Sequence, residues 1–407
     1  MINRVSTFSQ YQNLTSNLMR KQGAVNNTNE QLATGKRIKT AGDDPIASVS
    51  TQNYKQQLVQ IEQFQKSITL ANNRLGTLET SLKNVESHID SAKQKVIGMI
   101  NGAMAGDDKT AFKNELESLY EGLLNLANTQ DEGGNYVFAG HQVRTQPFVE
   151  GNDGEVAYNG DSGHREARID TSVHVKTSQP GDLVFTGMNN PFGDFRPDYQ
   201  GLQPESGLSL LSATNQDPSD PTNYRVEFAE DGAGGFTYKL FNGNNQQLDS
   251  QPYDPAKGVQ YTDPDPDSKI QLSFQFDGEL KDGDTVSLNR TDTIDLFQTM
   301  NDVIRYSEEP TSSSEARASL QRSIEELNAA YVHMNQRRAE VGTGLKTLET
   351  YEAQHLDFEL SLNKAKGSLE DLDYSKAIIE LNEDMLALQA SQAAFNQTKQ
   401  LSLFNYL

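Results

Sequence analysis

The chain has 407 residues, 35 Lys+Arg against 57 Asp+Glu, a formal net charge of −22, and neither cysteine nor tryptophan. So negative a chain repels polyphosphate backbones, which disfavours a nucleic-acid partner, and the lack of cysteine excludes disulfides, zinc–thiolate sites and thiol catalysis. No run of about 18 apolar residues exists to span a bilayer, and the opening MINRVSTFSQYQN lacks the apolar stretch of a secretory signal. A chain exported unfolded by a signal-independent route would also gain from having no thiols to cross-link. The composition is sharply partitioned. Of 13 prolines, 11 fall between Asp131 and Arg290, with 19 of the 30 glycines and 26 acidic residues against 11 basic ones. Proline and glycine are poor in helix interiors, so the middle is predicted to be strand and loop and both flanks helical.

In chain order, Tyr11, Leu14, Leu18, Lys21, Val25, Thr28 and Leu32 form a first helical stripe, which Lys21 and Thr28 interrupt. Asp43-Asp44-Pro45 reads as a turn and helix start, with Asp44 a candidate cap and Pro45 at the first helical position. From Ile61, the positions Phe64, Ile68, Ala71, Leu75, Leu78, Leu82, Val85, Ile89, Ala92, Val96 and Met99 alternate steps of three and four and are all apolar. That is a heptad seam of about five repeats. Gly106-Asp107-Asp108 reads as a breaker, followed by the stripe Phe112, Leu116, Leu119, Leu123 and Leu126.

In the middle, Asn135–Ala139 and Glu155–Asn159 read as short strands, the second ending in the hairpin signal Asn159-Gly160. Tyr224–Ala229 and Phe236–Phe241 alternate and flank a glycine-rich turn; Lys269–Phe276 and Thr285–Asn289 follow. One apolar face on each fits a small sandwich or barrel. Beyond Pro310, Leu320, Ile324, Leu327, Tyr331 and Met334 resume the helical pattern, and Leu348, Tyr351, His355, Phe358, Leu362, Ala365, Leu369 and Leu372 extend it. Ile378, Leu381, Met385, Leu388, Gln392 and Phe395 make a last seam, broken only at Gln392. Each stripe is readable as a buried face, and the two terminal ones equally as surfaces for intermolecular packing.

The ends carry opposite charge. Arg4, Arg20, Lys21, Lys36, Arg37 and Lys39 stand against Glu30 in the first 40 residues, and Lys376 and Lys399 against Glu370, Asp371, Asp373, Glu380, Glu383 and Asp384 in the last 40. Two amphipathic helices so charged are suited to pair lengthwise, with apolar seams supplying stability and charge setting partner and register. Positive signs of catalysis are lacking. The six histidines show no metal-ligand spacing, and no phosphate-cradling loop or nucleophile elbow is present. DPDPD (Asp263, Asp265, Asp267) resembles the start of a calcium loop, but Ser268 and Phe274 occupy the positions that need glycine and a bidentate Glu, so it reads as an acidic loop. No enzyme, cofactor or metal is expected.

LATGKRIKTAGDDPIASVS (Leu32–Ser50) resembles the SGxRIxxAxDDPA segment of flagellins and flagellar hook-associated proteins, and Leu381–Leu407 looks like their terminal helix. GGNYVFAGHQVRTQPF (Gly133–Phe148) is similar to a segment of the hook–filament junction family, hook-associated protein 3. DGELKDGDTVSLN (Asp277–Asn289) and RRAEVGTGLKTLE (Arg337–Glu349) are like two further segments of that family. The MINRV start and SLFNYL end favour the junction family over flagellins, which begin INTN and end LSLLR. Residues 177–269 match nothing nameable.

The resemblance implies a mainly α protein with an inserted β region. Its long antiparallel helical bundle would be formed by the N- and C-terminal segments. The expected divisions are 1–45 (assembly helix and joint), 46–130 (helical core), 131–290 (β-rich, with 131–176 adjoining the core and 177–290 a separate outer domain), 291–368 (helical core) and 369–407 (C-terminal assembly helix). It further implies a secreted structural subunit of the flagellum, cytoplasmic before type III export. Its partners would be a hook-side hook-associated protein, flagellin, copies of itself in a ring, and an export chaperone covering the C-terminal helix. Leu14, Leu18, Val25, Leu32, Ile378, Leu381, Met385, Leu388 and Phe395 are the expected assembly surface, and Asp43, Asp44 and Pro45 the expected joint. Such terminal helices would fold on assembly. A flagellin filament subunit, or an adhesin or glycan-binding protein using the acidic middle, are the alternatives.

Overall fold

The computed structural model describes residues 2–101, 106–151, 154–310 and 312–404. Met1 and residues 405–407, the outermost parts of the two terminal motifs, lie outside them. The chain divides into two compact units, Met1–Lys66 with Thr350–Leu407, and Ser67–Glu349. Three helices open the chain: α1 (Ile2–Thr34), α2 (Pro45–Asn101) and α3 (Gly106–Ala127). Gly106, Asp107 and Asp108, read as a breaker, open α3; residues 102–105 before them lie outside the described residues.

The strands follow in order: β1 (Phe148–Glu150), β2 (Val156–Tyr158), β3 (Glu166–Arg168), β4 (His174–Lys176), β5 (Met188–Asn189), β6 (Phe195–Gly201) and β7 (Ser209–Asn215). Next come β8 (Tyr224–Glu230), β9 (Phe236–Asn242), β10 (Gln247–Pro252), β11 (Val259–Thr262), β12 (Gln271–Asp277), β13 (Thr285–Arg290) and β14 (Thr293–Ile294). The chain closes with α4 (Leu296–Ser307), α5 (Ser314–Glu370) and α6 (Tyr374–Phe404). Mainly α with an inserted β region is therefore the observed class.

In the second unit the seam from Ile68 to Met99 is buried at every predicted position. Each fully buried Leu, Ile or Val contributes about 1.5–3 kcal/mol, so this seam dominates the helical core. α5 runs antiparallel beside it. Lys93 Nζ lies 5.1 Å from the Tyr331 ring centre, and Arg338 bonds both Glu79, at 2.9 Å, and Glu86. Of the α3 stripe, Leu116 and Leu123 are buried, together with Tyr120 and Ala127, while Phe112, Leu119 and Leu126 are half-buried.

The predicted strands Tyr224–Ala229, Phe236–Phe241, Lys269–Phe276 and Thr285–Asn289 form β8, β9, β12 and β13. Two antiparallel sheets, ordered β10-β9-β8-β13-β6 and β11-β12-β7, share a core that includes Phe195, Tyr199, Val226, Phe228, Phe274 and Val286. Of the sandwich and barrel that the alternation left open, this is the sandwich.

Two local readings fail. Asn135–Ala139 is a chain of turns touching Gln130 by one bridge at Tyr136, not a strand. Gly140 beyond it takes φ +65°, and a Cβ there would lie 2.2 Å from Asp161 O, so the backbone leaves the extended region. Val137, Phe138 and Ala139 are all buried, so the apolar run is an insertion into a core. Asn159-Gly160 does not turn a hairpin either: β2 pairs back on β1, with Phe148 facing Tyr158.

Phe138 and Phe148 instead enter an aromatic cluster with Phe185 and Phe297. Phe148 lies 5.1 Å from Phe185 and 5.2 Å from Phe297, between ring centres. Phe148→Ala is expected to destabilise the second unit by about 3–5 kcal/mol. Denaturant unfolding followed by tyrosine near-UV dichroism reads this; a loss below about 1 kcal/mol would show that the cluster is not a packed core.

A buried charge network ties strand to helix in the same unit. Arg196 on β6 bonds Glu326 of α5 at 2.6 Å and Asp302 of α4 at 2.8 Å; Arg322 bonds Asp302 at 2.6 Å; Thr299 Oγ1 donates to Glu326 at 2.9 Å. Burial alone would lower the Arg196 pKa, but hydrogen bonds and charge from Glu326, then Asp302, outweigh it and raise it.

Candidate assembly interface

In the first unit α1 and α6 pair lengthwise and antiparallel. Tyr11 meets Phe395 with ring centres 5.1 Å apart, and Lys21 Nζ lies 2.9 Å from Asp384 Oδ1. On α1 the covered positions include Leu14, Leu18, Lys21, Val25, Thr28 and Leu32. On α6 they include Ala377, Leu381, Asp384, Leu388, Ser391 and Phe395, at alternating steps of four and three. This seam shares Leu381, Leu388 and Phe395 with the predicted one. Ile378 and Met385, predicted on the same face, are instead 49% and 43% exposed. Either phase gives a continuous stripe because α6 is apolar on more than one side; Ile379 and Leu386 are exposed as well.

Lys21 and Thr28, read as interruptions, are part of the covered face. Lys21 finds the carboxylate of Asp384 across the pair, and Thr28 Oγ1 donates to Ala24 O at 3.1 Å. Asp384 is the residue that sequence reasoning missed; its signal was one acid in the alternative heptad phase, opposite one lysine. The pair is partly exposed, so about 0.2–1 kcal/mol is the scale of its contribution. In a double-mutant cycle read by denaturant unfolding of the helix pair, Asp384→Lys is expected to weaken pairing by on the order of 1 kcal/mol. Adding Lys21→Asp is expected to recover most of it; additive losses would show that the contact does not set register.

The turns joining α1 to α2 and α5 to α6 clasp each other. Arg37 N donates to Glu370 O at 2.8 Å and Leu372 N to Gly35 O at 3.0 Å, with an antiparallel bridge between Lys36 and Asp371. Gly35 has φ +67°, and a Cβ there would lie 2.8 Å from Tyr374 Oη, so conformation and space both call for glycine. Glu370 accepts from Lys36 Nζ at 2.6 Å and Lys55 Nζ at 3.2 Å. Burial alone would raise its pKa, yet these two lysines hold it below the usual glutamate value.

At the expected joint, Asp43 Oδ2 accepts from Thr40 N at 2.8 Å and Lys39 N at 2.9 Å, and these backbone bonds lower its pKa. Asp44 Oδ1 accepts from Ala47 N at 3.0 Å, an N-cap bond, and α2 begins at Pro45. The three residues lie together in the turn that opens α2.

On the part of α5 within this unit, His355 stacks on Phe64 of α2 with ring centres 5.5 Å apart. Phe358, predicted in the seam, is 52% exposed; its neighbour Glu359 accepts from Gln65 Nε2 at 3.0 Å. Ile46, Val49 and Val59 of α2 and Leu356 and Leu360 of α5 are also exposed. Among the described residues no His, Asp and Glu group is arranged to hold a metal, and no helix is long and apolar enough to cross a membrane. In the acidic loop, Asp263 and Asp265 spend a carboxylate oxygen each on the backbone N–H of Asp265 and Asp267.

Residues 5–143 match the family described as the bacterial flagellin N-terminal helical region, so over that stretch the chain is similar to flagellins. More particularly, it is similar to flagellar hook-associated protein 3: the Escherichia coli protein of that name is 30% identical over 187 residues, 46% of this chain and 58% of the relative. The chain spans less than two thirds of the length of the hook-associated protein 3 relatives it matches. Flagellin C of Vibrio cholerae is 22% identical over 403 residues, 97% of this chain and 95% of that one. In fold, the chain matches the crystal structure of the flagellar junction protein FlgL from Legionella pneumophila with a TM-score of 0.63 at 24% identity, covering 79% of this chain and 100% of the other. These relatives give no support to the adhesin reading.

Proposed function

We propose that the chain is a structural subunit of the bacterial flagellum that joins the hook to the filament and assembles through α1 and α6. The observation that carries this is the helix pair itself. Its two helices bury one seam against each other and leave a second apolar set, Ile378, Ile379, Met385 and Leu386, uncovered on α6. Large apolar side chains exposed in one stretch mark a surface that packs against something else. Leu14, Leu18, Val25, Leu32, Leu381, Leu388 and Phe395 then hold the pair together, while Ile378 and Met385 meet neighbouring subunits.

The partners on this reading are a hook-side hook-associated protein, flagellin and further copies of the chain in a ring. An export chaperone would cover α6 before passage through the type III apparatus, and the protein would function outside the cell without catalysis. Residues 1–45 and 369–407 serve as assembly helices with the joint at Asp43, Asp44 and Pro45. Residues 46–130 and 291–368 are the helical core, 131–176 adjoins it, and 177–290 is displayed.

The competing role is that of a filament subunit, which the Flagellin C likeness keeps in view. Purified full-length chain incubated with short filament seeds separates the two: a junction subunit adds no long polymer, and growth of long filaments would overturn the proposal.

A further inference from the structure

The faces of α5 and α6 that point away from their buried seams carry the same spacing with opposite charge. On α5, Asp357, Leu360, Lys364 and Gly367 follow one another at steps of three, four and three; on α6, Lys376, Ile379, Glu383 and Leu386 do the same. Such steps place each set of four on one face of its helix. Both sets lie in the first unit. All but the half-buried Gly367 are exposed, Leu360, Ile379 and Leu386 by 70%, 59% and 66%. Among the described residues Asp357, Lys364 and Glu383 make no ion pair, and Lys376 reaches only Glu380, at 3.9 Å.

Side by side in parallel, the two stripes match position for position. Asp357 meets Lys376 and Lys364 meets Glu383, so each acid faces a lysine. Leu360 meets Ile379, and Gly367 leaves room for Leu386. Like positions of the repeat face each other in a parallel helix pair, and polar groups there lower stability but fix register. An antiparallel arrangement would instead set Asp357 against Leu386 and Lys364 against Ile379, covering each charge with an apolar side chain. The parallel pairing does not form within one chain. Both faces are exposed, and only residues 371–373 join α5 to α6, a connection so short that consecutive helices become antiparallel neighbours.

We propose that the outer face of α5 docks the outer face of α6 from a second copy of this chain, in parallel and with Leu360 opposite Ile379. The two faces are different surfaces, so the contact is head-to-tail and leaves each copy one face free for the next, as a ring of subunits requires. The contact rests on the assembly role proposed above and adds which surfaces meet.

Variants of the full-length chain, carried by a strain that otherwise lacks it, test this. Glu383→Lys sets lysine against Lys364 and is expected to lower the number of filament-bearing cells at least about tenfold, since like charges in contact oppose association. Adding Lys364→Glu should restore the number to within about twofold, whereas adding Lys366→Glu, off the stripe, should not. The native chain has no cysteine, so Leu360→Cys combined with Ile379→Cys supplies its only thiols. Oxidation of purified flagella should then give a ladder of cross-linked dimers, trimers and larger species, and neither single variant should cross-link. No loss with Glu383→Lys, no rescue by Lys364→Glu or equal rescue by Lys366→Glu would overturn the proposal. So would monomers alone or dimers alone from the double cysteine variant. Filaments on the strain lacking the chain would remove the junction role instead, and the cross-linking would then decide this contact by itself.

Discussion

A chain ending before Tyr374, and so lacking α6, is expected to abolish swimming while its second unit stays folded. The truncation removes the α6 side of the seam: Leu381, Asp384, Leu388 and Phe395 go, and Leu14, Leu18, Val25 and Leu32 lose that cover. Most helical stability in proteins comes from tertiary packing of an apolar face, so α1 loses its support as well. The aromatic cluster and the charge network stand wholly within Ser67–Glu349 and should survive. A motility assay on a strain carrying the truncated gene, with near-UV dichroism of the purified truncation, reads both halves. Normal swimming would show that α6 is dispensable for assembly.

Glu326→Ala is expected to destabilise the second unit by about 3–5 kcal/mol, because it leaves buried positive charge uncompensated. Glu326 is fully buried and receives Arg196 and Thr299, with Arg322 beside it. Without it, Arg196 and Arg322 share only Asp302. Because Arg196 sits on β6 and its partners on α4 and α5, the loss should loosen the attachment of the sandwich to the helices before either melts internally. Denaturant unfolding gives the magnitude, and amide exchange at β6 the location. A loss under about 1 kcal/mol, the scale of an exposed pair, would mean that solvent already reaches the network.

The helical flanks were legible because their signal is repetitive: eleven apolar positions from Phe64 to Met99 repeat one pattern, and no proline lies between Pro45 and Asn101. β8, β9, β12 and β13 were legible because each alternates cleanly. β6 and β7 were missed for physical reasons. β6 carries Pro197, tolerated on a strand at the edge of its sheet. The β7–β12 pairing contains a bulge at Gln275/Phe276, which shifts the register.

Asn135–Ala139 has the composition of a strand, but the glycines beside it break extension and its apolar residues are buried among aromatics that sequence spacing cannot bring together. At the helix pair, the elements and their lengthwise pairing followed from periodicity and opposite charge. The phase of α6 did not, because a helix apolar on several sides offers two seams. The choice between them rests on Asp384, whose meaning depends on Lys21 some 360 residues away.

The decisive observation is electron microscopy of a strain lacking this chain, with the culture medium assayed for flagellin. Bare hooks without filaments, and flagellin shed into the medium, are the expected result for a subunit that joins hook to filament. Filaments of normal length still attached to hooks would contradict that role.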